Sequence, residues 1–168
     1  YALDYPPVYL VFLFIVGKLY GALPLADYKM FDMLAMKFFP ILFDVLAAGM
    51  LYLLCRKKSE GMGVLAAALW ALNPSSIFNS AWGQTDGMML CLLLLAFYLV
   101  DADRPILGSV LFAVTALTKM QALYFTPVLF VVLLYRHKLE KALLGVLAAL
   151  ATGVAAFVPF IIGSAGAR

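Results

Sequence analysis

The sequence predicts an all-α fold: a polytopic helical membrane bundle of about six spanning helices, with a re-entrant or external-loop helix at the N-terminus. Three observations carry that expectation. The 168 residues are 66% hydrophobic and only 12% charged, with a mean hydropathy of +1.03, far outside ordinary globular usage. Several apolar stretches meet the roughly 20 residues, within a usable range of about 17–25, that a membrane span needs. The connections between them are short, which favours packed antiparallel neighbours. The length suits a single transmembrane module over residues 1–168, with 1–33 as the external-loop or re-entrant part and 34–168 as the bundle. The chain opens on Tyr1 and stops at Arg168 just past an apolar run, so the expectation is a piece of a larger protein, truncated at both ends.

Seven apolar segments follow one another. The first, 6–23, opens on Pro6-Pro7, which suits the first turn of a helix. The mixed stretch Asp27-Tyr28-Lys29-Met30-Phe31-Asp32 reads as an interfacial helix. The second segment is 38–55. The third, 61–79, is interrupted by Asn73-Pro74-Ser75-Ser76, where a proline removes a helix hydrogen bond and predicts a kink. The fourth is 84–100. The fifth, 105–118, gives only about 21 Å of helix against a hydrocarbon core of about 30 Å. The turn after it, Thr118-Lys119-Met120-Gln121, is therefore expected in a recess. The sixth is 121–135. The seventh, 141–163, carries Gly145, Ala149 and Gly153 at four-residue spacing, a small-residue stripe that permits close helix packing.

Charge sets the expected orientation. The net charge is +3, gathered into inter-helix clusters. Arg56-Lys57-Lys58, Arg104, and Arg136 with Lys138 and Lys141 share one side if segments two to six each span. The positive-inside rule makes that side cytoplasmic. The outer side then receives the loop 79–86 and the turn at Lys119. No basic face with interleaved aromatics is present, so nucleic acid is not an expected partner. Cys55 and Cys91 read as buried free thiols, and no metal-ligand spacing or cofactor motif appears. His137, inside Tyr135-Arg136-His137-Lys138, reads as a solvated or headgroup contact.

Few residues can carry chemistry. Asn79-Ser80-Ala81-Trp82-Gly83-Gln84-Thr85-Asp86 is a polar island between two apolar runs. Asp86 opens the fourth segment, where an acid is favoured by the helix dipole. Asn79, Trp82 and Gln84 make the loop richer in polar groups than a cap requires. Asp44 lies mid-span, where an acid is costly; it either bonds a neighbouring helix or walls an outer cavity. Lys119 either clamps an anionic group or pairs with Asp44 or a helix end, and Gln121 beside it adds a neutral donor. Asp4, taken alone, is a turn acid. No Ser/His/Asp set or phosphate loop is present.

Four stretches recur in one order in a known family: Ala2-Leu3-Asp4-Tyr5-Pro6-Pro7, the mid-span Asp44, Asn73-Pro74 followed by Gln84-x-Asp86, and Lys119-Met120-Gln121-Ala122-Leu123-Tyr124 with Pro127. Over nearly its whole length the chain resembles the GT-C glycosyltransferases of lipid-linked oligosaccharide assembly, the dolichyl-phosphate-glucose-dependent glucosyltransferases and bacterial mannosyltransferase-type relatives. The resemblance implies an integral, multi-pass enzyme with a polyprenyl-phosphate-linked sugar donor and a lipid-linked glycan or other hydroxyl acceptor. It implies inversion at the anomeric carbon, no cofactor, and an active face that is periplasmic, extracellular or ER-lumenal. Asp4 takes the place of the family's general base, with Tyr5 beside it. Gln84 and Asp86 match the loop's polar pair, although eukaryotic members carry an Asn-like residue at Asp86 and His and aromatic residues where this chain has Ala81 and Trp82. If 6–23 spanned, Asp4 would face opposite Asp86, so the resemblance makes 6–23 a re-entrant or partly buried helix. Two other classes stay open: a transporter or flippase component, suggested by Asp44 and Pro74, and a non-catalytic membrane scaffold.

Overall fold

The computed structural model describes residues 6–22 and 29–165, with side chains outside 20, 29–36 and 160–165. Every element among them is helical: α1 Pro7–Gly21, α2 Lys29–Cys55, α3 Glu60–Ala71, α4 Pro74–Ala81, α5 Asp86–Asp101, α6 Pro105–Ala116, a 3-10 helix Met120–Phe125, α7 Thr126–Arg136 and α8 Leu139–Ala165. They form two compact units. The first is Phe12–Leu94; the second joins Tyr1–Val11 to Leu95–Arg168.

In the first unit α2 packs along α3 and α4. The α2–α3 hairpin turns tightly through Arg56-Lys57-Lys58. Ser59 caps α3 by accepting from the Met62 N–H at 3.2 Å, and the Tyr52 hydroxyl donates to Glu60 Oε1. The close approach needs Gly63, where a Cβ would lie 2.9 Å from both Arg56 Cβ and Tyr52 Cδ2. Phe12 meets Phe39 and Phe43 edge-on, with ring centroids 5.2 and 6.4 Å apart, a favourable aromatic geometry. The break expected at Asn73-Pro74 is present. Asn73 accepts from the Ser75 N–H at 2.9 Å, Pro74 opens α4, where its missing N–H is not needed, and α3 and α4 are bent by 48°.

In the second unit α6 packs mainly on α8. Gly108 meets the Ala96 carbonyl and Val100, and Gly145 meets Ser109 Oγ; a Cβ at either would come within 2.7 Å. Of the predicted small-residue stripe Gly145 makes this approach, whereas Gly153 has open space around it. α5 ends with Asp103 at φ 58 and Arg104 N–H donating to the Leu99 carbonyl at 2.9 Å, the left-handed stop usually given to glycine. Thr115 and Thr118 are fully buried and donate back to the Leu111 and Val114 carbonyls.

Three expectations change. The segments 27–32 and 38–55 are not separate where described, because α2 runs unbroken from Lys29 through Pro40 to Cys55. Among the described residues two helices are long and apolar enough to cross a membrane, Lys37–Cys55 and Leu139–Pro159, or three if the bent α3–α4 pair counts as one span; the expected number was about six. The reason is length. α5, α6 and α7 have 16, 12 and 11 residues, about 24, 18 and 16 Å of helix, and the sixth predicted segment is divided by the 3-10 helix before Pro127 restarts α7. Finally, His137 is not solvated. Its side chain is 5% exposed and lies 3.3 Å from Asp103 Oδ1, while Nε2 donates to the Val100 carbonyl at 2.8 Å. The α7–α8 corner folds onto the α5–α6 turn, and Arg136–Asp101 at 2.8 Å and Lys141–Asp103 at 3.4 Å close the same contact.

Candidate functional site

The polar island is built by the way α4 ends. Gly83 takes φ 75, its N–H donates to the Ser80 carbonyl at 3.0 Å, and Gln84 N–H donates to the Asn79 carbonyl at 2.9 Å. That pair of bonds with a left-handed glycine is the Schellman stop. The chain reverses within Trp82-Gly83-Gln84-Thr85 and starts α5 at Asp86. Asn79 and Asp86 are thereby brought together, and Asn79 Nδ2 donates to Asp86 Oδ2 at 2.9 Å. The next α4 residue, Ser80, faces α2 and its hydroxyl donates to Asp44 Oδ2. The next α5 residue, Gly87, lies against the other oxygen of the same carboxylate: a Cβ there would be 2.2 Å from Asp44 Oδ1.

Asp44, Ser80, Asn79 and Asp86 thus form one cluster of two acids, a hydroxyl and an amide, within the first unit. The neighbouring-helix bond expected for Asp44 exists, to Ser80. Asp44 also lines a cavity of about 300 Å³ with Trp70, Ser76, Ser80 and the apolar Ile41, Val45 and Ile77. Asp44 Oδ1 and Trp70 Nε1 are both buried, and the indole N–H interacts with the Asp44 carboxylate. Trp82 and Gln84 stand at the exposed edge; the Trp82 indole is 72% exposed and meets the Phe78 ring at 5.9 Å. Such a cluster can exchange hydrogen bonds with hydroxyl groups and disfavours anions.

Lys119 and Gln121 belong to the second unit. Lys119 is half-buried in extended backbone at the head of the 3-10 helix, with its N–H on the Thr115 carbonyl at 3.0 Å and its carbonyl receiving the Ala122 N–H at 3.1 Å. Gln121 and Tyr124 are exposed. Val8 N–H donates to the Leu117 carbonyl at 3.1 Å, tying the start of α1 to the end of α6. Pro6 and Pro7 there line an apolar groove of about 970 Å³, with Phe112, Met120, Phe130 and Phe157 among its walls. Asp4 and Tyr5 lie outside the described residues. Among the described residues no group of three His, Cys, Asp or Glu side chains could hold a metal ion.

Ser80, Trp70 and Gly87 were not anticipated from sequence. The available signal was spacing: Ser76 and Ser80 share one face of α4, and Gly87 follows an acid at the head of an apolar helix, where a glycine weakens the helix unless something must come close.

The family model described as Glycosyltransferase family 87 matches residues 3–167. No curated protein and no solved structure matches the chain.

Proposed function

The chain belongs to glycosyltransferase family 87, whose activity requires a sugar donor and an acceptor, and from that premise we propose that it is a membrane-embedded, inverting enzyme of GT-C type. In this reading a hexose, glucosyl or mannosyl, moves from a polyprenyl-phosphate donor to an acceptor hydroxyl of a lipid-linked glycan or similar molecule. The active face is periplasmic, extracellular or ER-lumenal. The protein crosses the bilayer several times, with α5, α6 and the 3-10 helix plus α7 as short or broken crossings beside α2, α8 and the α3–α4 pair.

The observation that carries the proposal beyond the family match is the cluster of Asp44, Ser80, Asn79 and Asp86. Two acids, a hydroxyl and an amide at the end of apolar helices suit the recognition of sugar hydroxyls. Asp86, Gln84, Asn79 and Asp44 orient the sugar, and Tyr5, Trp82 and Gln121 add contacts. Asp4, as carboxylate, takes the proton of the acceptor hydroxyl. The acceptor oxygen bonds the anomeric carbon, the carbon–oxygen bond to phosphate breaks, and the lipid phosphate leaves with the electron pair. Lys119 balances that anion. One carboxylate is enough, because a phosphate leaving group needs little protonation, whereas a hydrolase acting on a glycosidic bond uses a carboxylate pair. The groove beside Pro6-Pro7 has the volume and apolar walls for part of an isoprenoid tail.

The test is a transfer assay on the protein in lipid, with a panel of polyprenyl-phosphate sugars, comparing wild type with Asp4→Asn. Transfer in wild type and its loss in a folded, donor-binding Asp4→Asn protein is the expected result. Undiminished transfer by Asp4→Asn removes the assigned base. Transfer only from nucleotide sugars removes the proposed donor.

A further inference from the structure

We propose that the turn between α2 and α3, Arg56-Lys57-Lys58, is a docking surface for the headgroups of anionic phospholipids in the leaflet that the positive-inside rule makes cytoplasmic. The inference rests on the membrane-embedded reading of the chain and not on which carboxylate does the chemistry.

Position comes first. α2 supplies the candidate span Lys37–Cys55, and the bent pair Glu60–Ala71 and Pro74–Ala81 supplies another. Only four residues join them, Arg56, Lys57, Lys58 and Ser59. The join is tight. Arg56 N–H donates to the Tyr52 carbonyl at 2.9 Å and Lys58 N–H to the Cys55 carbonyl at 3.0 Å, and Ser59 caps α3 at once. Such a turn has no slack to reach past the headgroup layer, which is about 5–8 Å deep on each side. Three cationic side chains are therefore held at the level of the lipid phosphates.

The surface beyond the turn agrees. Met62, Val64, Leu65, Leu69 and Leu72 of α3 are exposed, so apolar surface begins within a few residues of the cations. Lys and Arg stems can lie along such surface with their charged ends on phosphate. At the far end, α4 buries Ser76 and Ser80 and leaves Ile77, Phe78 and Trp82 exposed. Its inner face is the polar one, which suits lipid outside and not water. Helices of 12 and 8 residues give about 30 Å of path, close to the hydrocarbon core of about 30 Å. The cations and Trp82 thus fit opposite headgroup layers, where Trp is favoured.

Charge selects the lipid. Between Asp44 and Asp86 the sequence holds three cations and one acid, Glu60. Glu60 Oε1 already receives the Tyr52 hydroxyl, and the Arg56 guanidinium lies 5.5 Å from the Tyr52 ring centroid. All three cations are exposed. The basic corner of the second unit differs, because Arg136 and Lys141 pair with Asp101 and Asp103. A zwitterionic headgroup brings its own cation, which the turn repels. An anionic headgroup brings only the matching sign.

The test is native mass spectrometry of the purified protein, titrated with phosphatidylglycerol or with phosphatidylcholine of the same acyl chains. Phosphatidylglycerol should bind wild type at least tenfold more tightly, from roughly fivefold per cation. Lys57→Gln/Lys58→Gln should bring the two affinities within about threefold, with phosphatidylcholine binding and Tm unchanged. Lys138→Gln, which removes an exposed cation of the second unit, should leave the preference intact. Equal loss in Lys138→Gln marks an effect of total charge and overturns the proposal, as does a preference that survives the double substitution. Inorganic phosphate or a glutamate-rich peptide that displaces phosphatidylglycerol at equal concentration makes the turn a free-anion or protein site, and overturns it too. Asp4→Asn should keep the preference, so a failed catalytic assignment and a failed docking surface give different results. Binding of neither lipid overturns the membrane reading and the docking surface together.

Discussion

Replacing Gly87 with alanine tests the packing on which the polar cluster depends. The added methyl would lie 2.2 Å from Asp44 Oδ1, 2.7 Å from Cγ and 3.0 Å from the Asp44 backbone nitrogen. To restore ordinary contact the carboxyl oxygen must retreat by about 1.2 Å, out of the position in which Ser80 holds the carboxylate. The retreat breaks the bond from Ser80, and the contact with backbone nitrogen requires α2 to shift as well. Overpacking costs about 1–3 kcal/mol, and a lost hydrogen bond to a charged group about 1.5–3 kcal/mol. Together they place Gly87→Ala about 2.5–6 kcal/mol below wild type, a fall in Tm on the order of 10 °C. Gly49, in the interior of α2, is the matched control. Nothing lies within 4 Å of a Cβ built there, so Gly49→Ala should gain about 0.5–1 kcal/mol from helix propensity alone. The assay is thermal unfolding of both variants in the same nanodiscs. The same substitution should move Tm in opposite directions at the two sites. A Gly87→Ala protein as stable as wild type would refute the close approach of α5 to Asp44.

Gly83→Ala forces a Cβ into φ 75 and should cost about 1–2 kcal/mol, read as a lower Tm with faster amide exchange in residues 82–85. His137→Ala removes the partner of the Val100 carbonyl and a neighbour of Asp103; it should cost about 1–3 kcal/mol, and hydrogen exchange should rise at the α5–α6 turn and at the α7–α8 corner together. Lys119→Met should lower kcat about a hundredfold with Tm little changed; unchanged kcat removes Lys119 from the leaving group.

The parts of this fold legible in the sequence are those fixed by neighbours along the chain. Asn73-Pro74 announces its own break, because proline opens a helix more readily than it continues one. The polar run from Asn79 to Asp86 announces a loop, because it separates two apolar segments. Asp44 announces a partner, because an unpaired acid among apolar residues is costly. What the sequence hides is set by helix register. Nothing near Ser80 says that it faces Asp44, 36 residues earlier, and nothing near Gly87 says that the acid it touches is Asp44 and not its neighbour Asp86. Hydropathy also misleads where an apolar run changes its helical form. Residues 121–135 read as one span, yet the backbone is a 3-10 helix up to Phe125 and α-helical only from Thr126. His137 shows the same limit in polar form. A basic cluster looks solvent-facing until the corner that carries it is folded onto a carbonyl and a carboxylate.

The restraint on the two clustered acids bears on which carboxylate does the chemistry. A general base must offer an oxygen to the acceptor's proton in a defined geometry. Asp44 has one oxygen taken by Ser80 and the other crowded by Gly87. Asp86 has Oδ2 taken by Asn79. Both are built to accept hydrogen bonds and hold position, which suits orienting a sugar better than removing a proton. On the proposed assignment Asp86→Asn should therefore act chiefly on KM, by about tenfold for one weakened hydrogen bond of about 1.4 kcal/mol. Asp4→Asn should act on kcat, by two orders of magnitude or more. Steady-state kinetics with a polyprenyl-phosphate sugar separates the two. If Asp86→Asn instead abolishes kcat and Asp4→Asn spares it, the base lies in the first unit, and the cluster around Asp44 is catalytic in its own right.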